Sequence, residues 1–112
     1  MRNPVALLND YTATLNRYDL ETVENLFSES AVYVSPGLNG EIKGRAAIMA
    51  AFRAYFADHK DQVNWDEDVQ QVDGQTLHAR WRLQTSKLKR SGMQIISFNA
   101  EGEIQRIEVQ DD

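Results

Sequence analysis

Apolar residues recur at intervals of three and four in three stretches of the first half of the chain, a spacing that predicts three helices. Asn3 and Pro4 form a start signal for the first, because asparagine accepts from free amides and proline tolerates the first turn. The expected bounds are Pro4–Arg17, Asp19–Ser28 and Gly44–Asp58. The inward positions are Leu7, Leu8, Tyr11, Leu15, Tyr18, Leu20, Val23, Leu26, Phe27, Ile48, Phe52, Tyr55 and Phe56.

Strand-like patterns occupy the rest of the chain. Ala31–Ser35 is rich in β-branched and aromatic residues and predicts a first strand, followed by a loop over Pro36–Gly44. From Gln62 onward the period becomes two, which predicts four strands in an antiparallel meander. The expected turns are Asp73-Gly74, Ser91-Gly92 and Glu101-Gly102.

The alternation is clearest in residues 76–84, where apolar and polar side chains take turns. One face should therefore meet the helices, and the other should meet solvent or a partner subunit. The expected inward residues are Leu77, Ala79, Trp81 and Leu83, and the outward ones are His78, Arg80, Arg82 and Gln84.

Length and charge narrow the classes of function. The 112 residues predict a single domain over 1–112, and a net charge of -5 disfavours nucleic acid and anionic membranes as partners. The basic run Lys87, Lys89 and Arg90 is typical of a solvated hairpin tip. With neither a signal-peptide pattern nor an apolar span of about 20 residues, we expect a cytoplasmic protein.

Metal and thiol chemistry are disfavoured by the residues available. The chain has no cysteine, which excludes disulfides and thiolate nucleophiles. His59 and His78 do not have ligand spacing, so we expect no metal and no cofactor. His59 should lie in a loop and His78 on the outer face or at an interface, with an acid–base role as the alternative for each.

Four segments carry short motifs in a fixed order: Arg17–Phe27, Ala31–Tyr33, Gly44–Ile48 and Phe98–Ile104. Together they resemble the nuclear transport factor 2-like superfamily, which includes SnoaL-like polyketide cyclases and ketosteroid isomerases. The resemblance implies an α+β, cone-shaped, cystatin-like fold with three N-terminal helices on a curved antiparallel sheet. Such a fold would enclose an apolar cavity suited to a small organic ligand.

The resemblance also implies where a polar site would lie. The oxyanion tyrosine of ketosteroid isomerases matches Tyr11, whereas the positions of its base and its sheet acid fall on Ser35 and Gln94. Two supporting tyrosines are replaced by Phe27 and Phe52. Because serine and glutamine cannot replace a carboxylate in proton transfer, steroid isomerisation of that type is disfavoured.

The candidate pocket set combines these polar positions with aromatic and apolar neighbours. Trp65 and Trp81 are expected to supply apolar area in the core, with stacking on a ligand as the alternative, and Tyr11 is either a pocket donor or a core tyrosine. The acidic run Asp66–Asp68 is interpreted as a solvated strand end. The pocket candidates are Tyr11, Tyr33, Ser35, Phe52, Phe56, Trp65, Trp81, Gln94 and Ile96.

Two functions remain open on the sequence. One is a binder of a small hydrophobic molecule with a polar oxygen, possessing isomerase, dehydratase or cyclase activity without a cofactor. The other is a noncatalytic dimerisation or ligand-binding module. Both are compatible with a homodimer formed through the outer sheet face, and the sequence identifies neither the substrate nor any catalytic residue.

Overall fold

The computed structural model describes residues 2–38 and 40–112, which form three α-helices and six β-strands. The α+β class and three helices agree with the prediction. The helices are α1 (Pro4–Asn16), α2 (Leu20–Leu26) and α3 (Arg45–Ala57). The strands are β1 (Phe27–Ser35), β2 (Gly40–Lys43), β3 (Val63–Gln71), β4 (Thr76–Gln84), β5 (Lys89–Phe98) and β6 (Ile104–Asp111), with a short 3₁₀ turn at Pro36–Leu38.

The predicted helix starts are explained by side-chain caps. The Oδ1 atom of Asn3 accepts a hydrogen bond from the amide of Val5 at 2.7 Å, and Pro4 occupies the first helical position. Asp19 caps α2 by accepting from the amide of Thr22 at 3.2 Å. These local bonds satisfy amides that have no partner within the helix, so the starts could be predicted from sequence.

Strands β3–β6 form the predicted antiparallel meander, but the sheet as a whole differs from the expected antiparallel sheet in two ways. Its strand order is β2-β1-β6-β5-β4-β3, and β1 runs parallel to β6 while every other neighbouring pair is antiparallel. The expectation of a purely antiparallel sheet was therefore wrong. The predicted loop over 36–44 also contains β2, which pairs with β1 at the edge of the sheet. Such edge pairing depends on the neighbouring strand, which a local pattern does not reveal.

The turn predicted at Ser91-Gly92 was also wrong, because both residues lie inside β5. The chain instead reverses at Thr85–Leu88, where the Thr85 amide donates to the Leu88 carbonyl at 2.9 Å. A Cβ atom at Gly92 would lie 2.8 Å from Cζ2 of Trp81 and 1.8 Å from the backbone oxygen of Gln110. Gly92 is therefore required by close packing within the sheet.

We call the sheet face that meets the helices the inner face. Helix α1 packs against β3, and α3 packs against β1. Leu77, Ala79 and Leu83 are buried on the inner face of β4, as the alternation predicted. Among the described residues, no helix has the length and apolar character needed to cross a membrane.

Candidate functional site

A cavity with an open mouth lies between α1, α3, β1 and the inner face of β3–β6, and its volume is about 120 Å³. Aromatic rings form one wall through edge-to-face contacts. The centroid of Phe52 is 5.1 Å from that of Tyr33 and 5.9 Å from that of Phe27. The ring of Tyr11 lies 5.9 Å from Phe27 in the same arrangement, which holds this wall in one geometry.

The carboxylate of Asp66 is half-buried at this cavity, which Asp111 also borders. Its Oδ2 atom accepts a hydrogen bond from Oγ1 of Thr12 at 2.6 Å, and its Oδ1 atom accepts from Nε2 of Gln94 at 2.7 Å. Burial raises the pKa of Asp66, although the two hydrogen bonds oppose that effect. Both donors are neutral, so the negative charge has no ion-pair partner among these contacts. Asp66 is thus positioned to accept a proton.

The interpretation of Asp66–Asp68 as a solvated strand end was wrong for its first residue. Asp66 is paired with Trp81, on the inner face, whereas Glu67 is paired with Arg80. Glu67 bonds Nε of Arg82 at 2.8 Å, and Asp68 is exposed with a φ of 51° where the pairing register shifts. The period of two over residues 63–67, before this shift, is the signal that separates Asp66 from Glu67.

The hydroxyl of Tyr11 faces the cavity next to this carboxylate. Its side chain is 5% exposed, and its hydroxyl makes no hydrogen bond to another described residue. Every fully buried side-chain polar atom among the described residues has a hydrogen-bond partner. Because the Tyr11 oxygen has none, it is not fully buried and is accessible from the cavity. Burial, then the neighbouring Tyr33 and Asp66, raise the pKa of Tyr11 well above its usual value. The hydroxyl therefore stays protonated and can donate.

The other two polar positions are engaged locally. Gln94 is buried and uses its amide to hold Asp66. Ser35 is also buried, and its Oγ accepts from the amide of Gly37 at 3.2 Å, so its own proton remains available. Gln94 thus supports the carboxylate.

Eight of the nine pocket candidates border the cavity, and Ile96 does not. Ile96 is 1% exposed and is paired with Leu77 and Ile107 inside the core, so packing separates it from the site. The eight are Tyr11, Tyr33, Ser35, Phe52, Phe56, Trp65, Trp81 and Gln94.

The two tryptophans differ from the expectation that both supply core area. Trp65 is 37% exposed, and its Nε1 donates to Glu67 at 3.0 Å, so it is not a core residue. Trp81 is partly buried and covers Gly92, with Nε1 within 3.2 Å of the Met93 and Gln110 carbonyls.

A polar network that the sequence did not indicate fixes the start of β3. Buried Gln62 accepts from the Tyr55 hydroxyl at 2.6 Å and donates to Asn64 Oδ1 at 2.8 Å. The Asn64 amide in turn donates to Asn16 Oδ1 at 2.8 Å. These bonds tie β3 to α1 and α3 two residues before Asp66, which helps to set the position of its carboxylate.

The histidines lie outside this site. The ring of His59 stacks on that of Tyr55, with centroids 4.0 Å apart, just beyond the end of α3. His78 is paired with Ile95 and Gln70 on the outer face. Across residues 2–38 and 40–112, no group of three or more acidic, histidine or cysteine side chains has a metal-binding arrangement.

Comparisons with solved structures identify the fold. The chain matches a nuclear transport factor 2-like protein of unknown function from Exiguobacterium sp. 255-15 (20% identity, TM-score 0.79, 95% of this chain and 98% of the other). It also matches SalBIII, an epoxide hydrolase/cyclase-like enzyme in pyran ring formation in salinomycin (17%, TM-score 0.84, 97% and 90%). A third match is a Mycobacterium tuberculosis protein in complex with estradiol-17β-hemisuccinate (16%, TM-score 0.81, 96% and 93%).

A search of curated proteins found no match. The sequence model of the SnoaL-like domain, however, matches residues 8–107, a range that begins within α1, ends within β6 and includes both Asp66 and Tyr11. The structural matches agree with this result, since they share the fold along nearly the whole chain. The protein therefore belongs to the SnoaL-like domain family, within the nuclear transport factor 2-like fold.

Proposed function

We propose that the cavity binds a small, mainly apolar molecule through a polar oxygen and that Asp66 exchanges a proton with it. The observation that carries this proposal is the Asp66 carboxylate, held by Thr12 and Gln94 inside an apolar cavity. The reaction class is a cofactor-independent isomerisation, dehydration or cyclisation. Proton transfer next to a carbonyl is common to these reactions and needs only a base and a donor.

Asp66 supplies the base. Each of its oxygens accepts one hydrogen bond, which leaves further lone pairs that can take a proton from a ligand. Burial raises the pKa of Asp66 from that of an ordinary aspartate and so makes the carboxylate a stronger base. The two neutral donors keep the carboxylate oriented and leave it basic. A paired arginine would instead lower its pKa and weaken it as a base.

Tyr11 supplies the donor. Its accessible hydroxyl lies close enough to Asp66 for that charge to influence its pKa, so one ligand can contact both groups. As a proton leaves the carbon next to a carbonyl, negative charge develops on the oxygen, where a neutral donor in an apolar site is most effective. Base and donor together support enolisation as the shared step.

Relatives with this fold support the same class of ligand. One is described as an epoxide hydrolase/cyclase-like enzyme, and another was solved with an estradiol ester. The noncatalytic alternative keeps the same ligand class and omits the proton transfer.

Deuterium exchange into 1-tetralone, an aromatic ketone, tests the proposal because exchange next to the carbonyl reports enolisation directly. In D₂O, followed by NMR, we expect the protein to accelerate exchange and Asp66→Asn to lower that rate by at least about 100-fold. Asp68→Asn removes the same charge from the exposed neighbour and should leave the rate within about twofold.

The outcomes separate binding from catalysis. Exchange by Asp66→Asn at the rate of the unaltered protein would refute the role of Asp66. A rise in melting temperature with 1-tetralone but no accelerated exchange would favour the noncatalytic binder, since any ligand of the folded state stabilises it. If no aromatic ketone, steroid or phenol raises the melting temperature, the pocket proposal fails for those classes.

We also propose a homodimer formed through the outer sheet face. Met93 and Ile95 alternate with inward-facing Gln94 and Ile96, and they remain partly exposed on β5. A two-fold pairing would cover them. Sedimentation at micromolar concentration should show a dimer that Ile95→Glu converts to monomer, whereas Asp73→Lys at the exposed β3–β4 turn should not. A monomeric unaltered protein would overturn this proposal.

A further inference from the structure

Arg90 brings a positive charge to the mouth of the cavity. It was expected on a solvated hairpin tip, yet it is paired with inward-facing Leu83, and its side chain borders the cavity. Its guanidinium carbon lies 5.9 Å from the ring centroid of Trp81, and Nη2 donates to Oδ2 of Asp111 at 2.6 Å. The ring and the carboxylate together hold the guanidinium over the opening.

The Nη1 edge of the guanidinium lies on the side of Gly37 and Ser35. Nη1 makes no hydrogen bond to another described residue, and it lies 3.8 Å from the point where a Cβ on Gly37 would be. The Oγ atom of Ser35 lies 3.7 Å from the same point and retains a proton to donate. Nη1 and the Ser35 hydroxyl therefore both border the place that a side chain at Gly37 would take.

The second arginine at the cavity does not offer such a site. Arg82 lies on the outer-face register with Trp65, and its Nε is bonded to Glu67 at 2.8 Å. Arg90 also has a carboxylate partner, and its ion pair is about as exposed as that of Arg82, but Arg90 faces inward and its Nη1 has no hydrogen-bond partner among the described residues. An ion pair with this exposure is weak, so a ligand anion can compete with it.

We propose that Arg90 and Ser35 form an anion-binding subsite at the cavity mouth, so that the preferred ligands are amphipathic carboxylates. The apolar body would occupy the cavity, and the carboxylate would bind Nη1 of Arg90 and the Ser35 hydroxyl. A planar guanidinium suits this role because its parallel N–H groups match the two oxygens of a carboxylate. This inference rests on the proposed ligand cavity and adds the ligand's charge and orientation.

The arrangement also separates charge along the cavity. Asp66, beside Gln94, would repel a carboxylate, whereas Arg90, beside Ser35 and Gly37, would attract it. An amphipathic anion would therefore enter with its apolar end first. That orientation places the uncharged end of the ligand near Asp66 and Tyr11, where the proposed proton transfer occurs.

Calorimetric titration with 1-naphthaleneacetate and its neutral analogue 1-naphthaleneacetamide tests the subsite. We expect the carboxylate to bind about tenfold or more tightly than the amide, since hydrogen bonds to charged groups have that strength. Arg90→Gln should abolish the preference and leave amide affinity within about twofold. Lys87→Gln, which removes the same charge from the exposed β4–β5 turn, should leave the preference intact.

Asp111→Asn provides a second variant that keeps Arg90 in place. It removes the competing carboxylate, so affinity for 1-naphthaleneacetate should rise while affinity for the amide stays constant. Equal affinities of the unaltered protein for the two probes would overturn the subsite but leave the cavity proposal standing. If Arg90→Gln lowers the affinity for both probes equally, Arg90 has a structural role and does not bind the carboxylate. If neither probe binds, the cavity proposal fails for bicyclic aromatics and the subsite fails with it.

Discussion

Asp66 and Glu67 are consecutive carboxylates on one strand, yet they lie on opposite faces of the sheet and their pKa values move in opposite directions. Burial raises the pKa of Asp66 on the inner face. On the outer face, the hydrogen bond from Arg82 lowers the pKa of Glu67. The face of the sheet on which a side chain lies therefore determines its pKa more than its neighbours in sequence do.

The basic residues show the same contrast between faces. Arg82 lies in register with Trp65 and is bonded to Glu67, whereas Arg90 lies in register with inward-facing Leu83 and its Nη1 makes no hydrogen bond to another described residue. Both arginines form exposed ion pairs, which add little to stability. The inward register of Arg90 makes it the one available to a ligand in the cavity. The inner face therefore combines close packing with the groups that can react or bind.

Gly92→Ala, on the inner face, should have the largest effect on the stability of the fold. The added Cβ would meet the Gln110 backbone oxygen and the Trp81 ring at impossible distances, so β5 and β6 would have to separate locally. We expect a loss of about 3 kcal/mol in the free energy of unfolding, measured by urea denaturation. Ser91→Ala on the outer face is the matched control and should lose less than about 1 kcal/mol. Similar losses would contradict the packing argument.

Tyr11→Phe should weaken binding of a carbonyl or phenolate ligand through the loss of one buried donor. The expected cost in binding free energy is about 1 to 3 kcal/mol, the value of one buried hydrogen bond. The ring and its contact with Phe27 are retained, so packing should not change. Calorimetry with a phenol and with naphthalene, which has no oxygen, separates polar anchoring from packing. Naphthalene should bind both proteins equally. An equal loss for both ligands would show that Tyr11 acts through packing alone.

Asp66→Asn should stabilise the fold at neutral pH, because the ionised carboxylate is held in the cavity against its desolvation cost. The expected gain is about 1 kcal/mol, with the new amide oxygen accepting from Gln94 and the new amide nitrogen donating to the Thr12 hydroxyl, which reverses that bond. A folded-state pKa above the unfolded value means that stability is lost as pH rises through the folded pKa. The gain should therefore disappear in acid and grow towards neutrality in thermal denaturation measured as a function of pH.

Glu67→Gln should give the opposite and smallest effect. The pKa of Glu67 is lowered in the folded protein, so its stabilisation is present at neutral pH and lost as pH falls through the folded pKa. The variant should be slightly less stable than the unaltered protein at neutral pH and equal to it in acid. If both substitutions shift stability in the same direction, the two faces do not differ as described.

Local sequence predicted the features that local physics controls. Asn3, Pro4 and Asp19 start helices because their caps satisfy amides within the next few residues. The alternation of β4 assigned Leu77 and Ala79 to the core because side chains on a strand must point to opposite faces. The fold family followed from several such elements in one order.

Tertiary structure alone decided the parallel pairing of β1 with β6, the place of Gly92 inside β5, and the inward position of Asp66. Strand partners are distant in sequence, and a shift of one residue in register moves a side chain to the other face. The sequence could therefore show that Asp66, Glu67 and Arg90 are charged. Which of them reaches the cavity depended on the pairing of strands across the sheet and on how closely their neighbours pack.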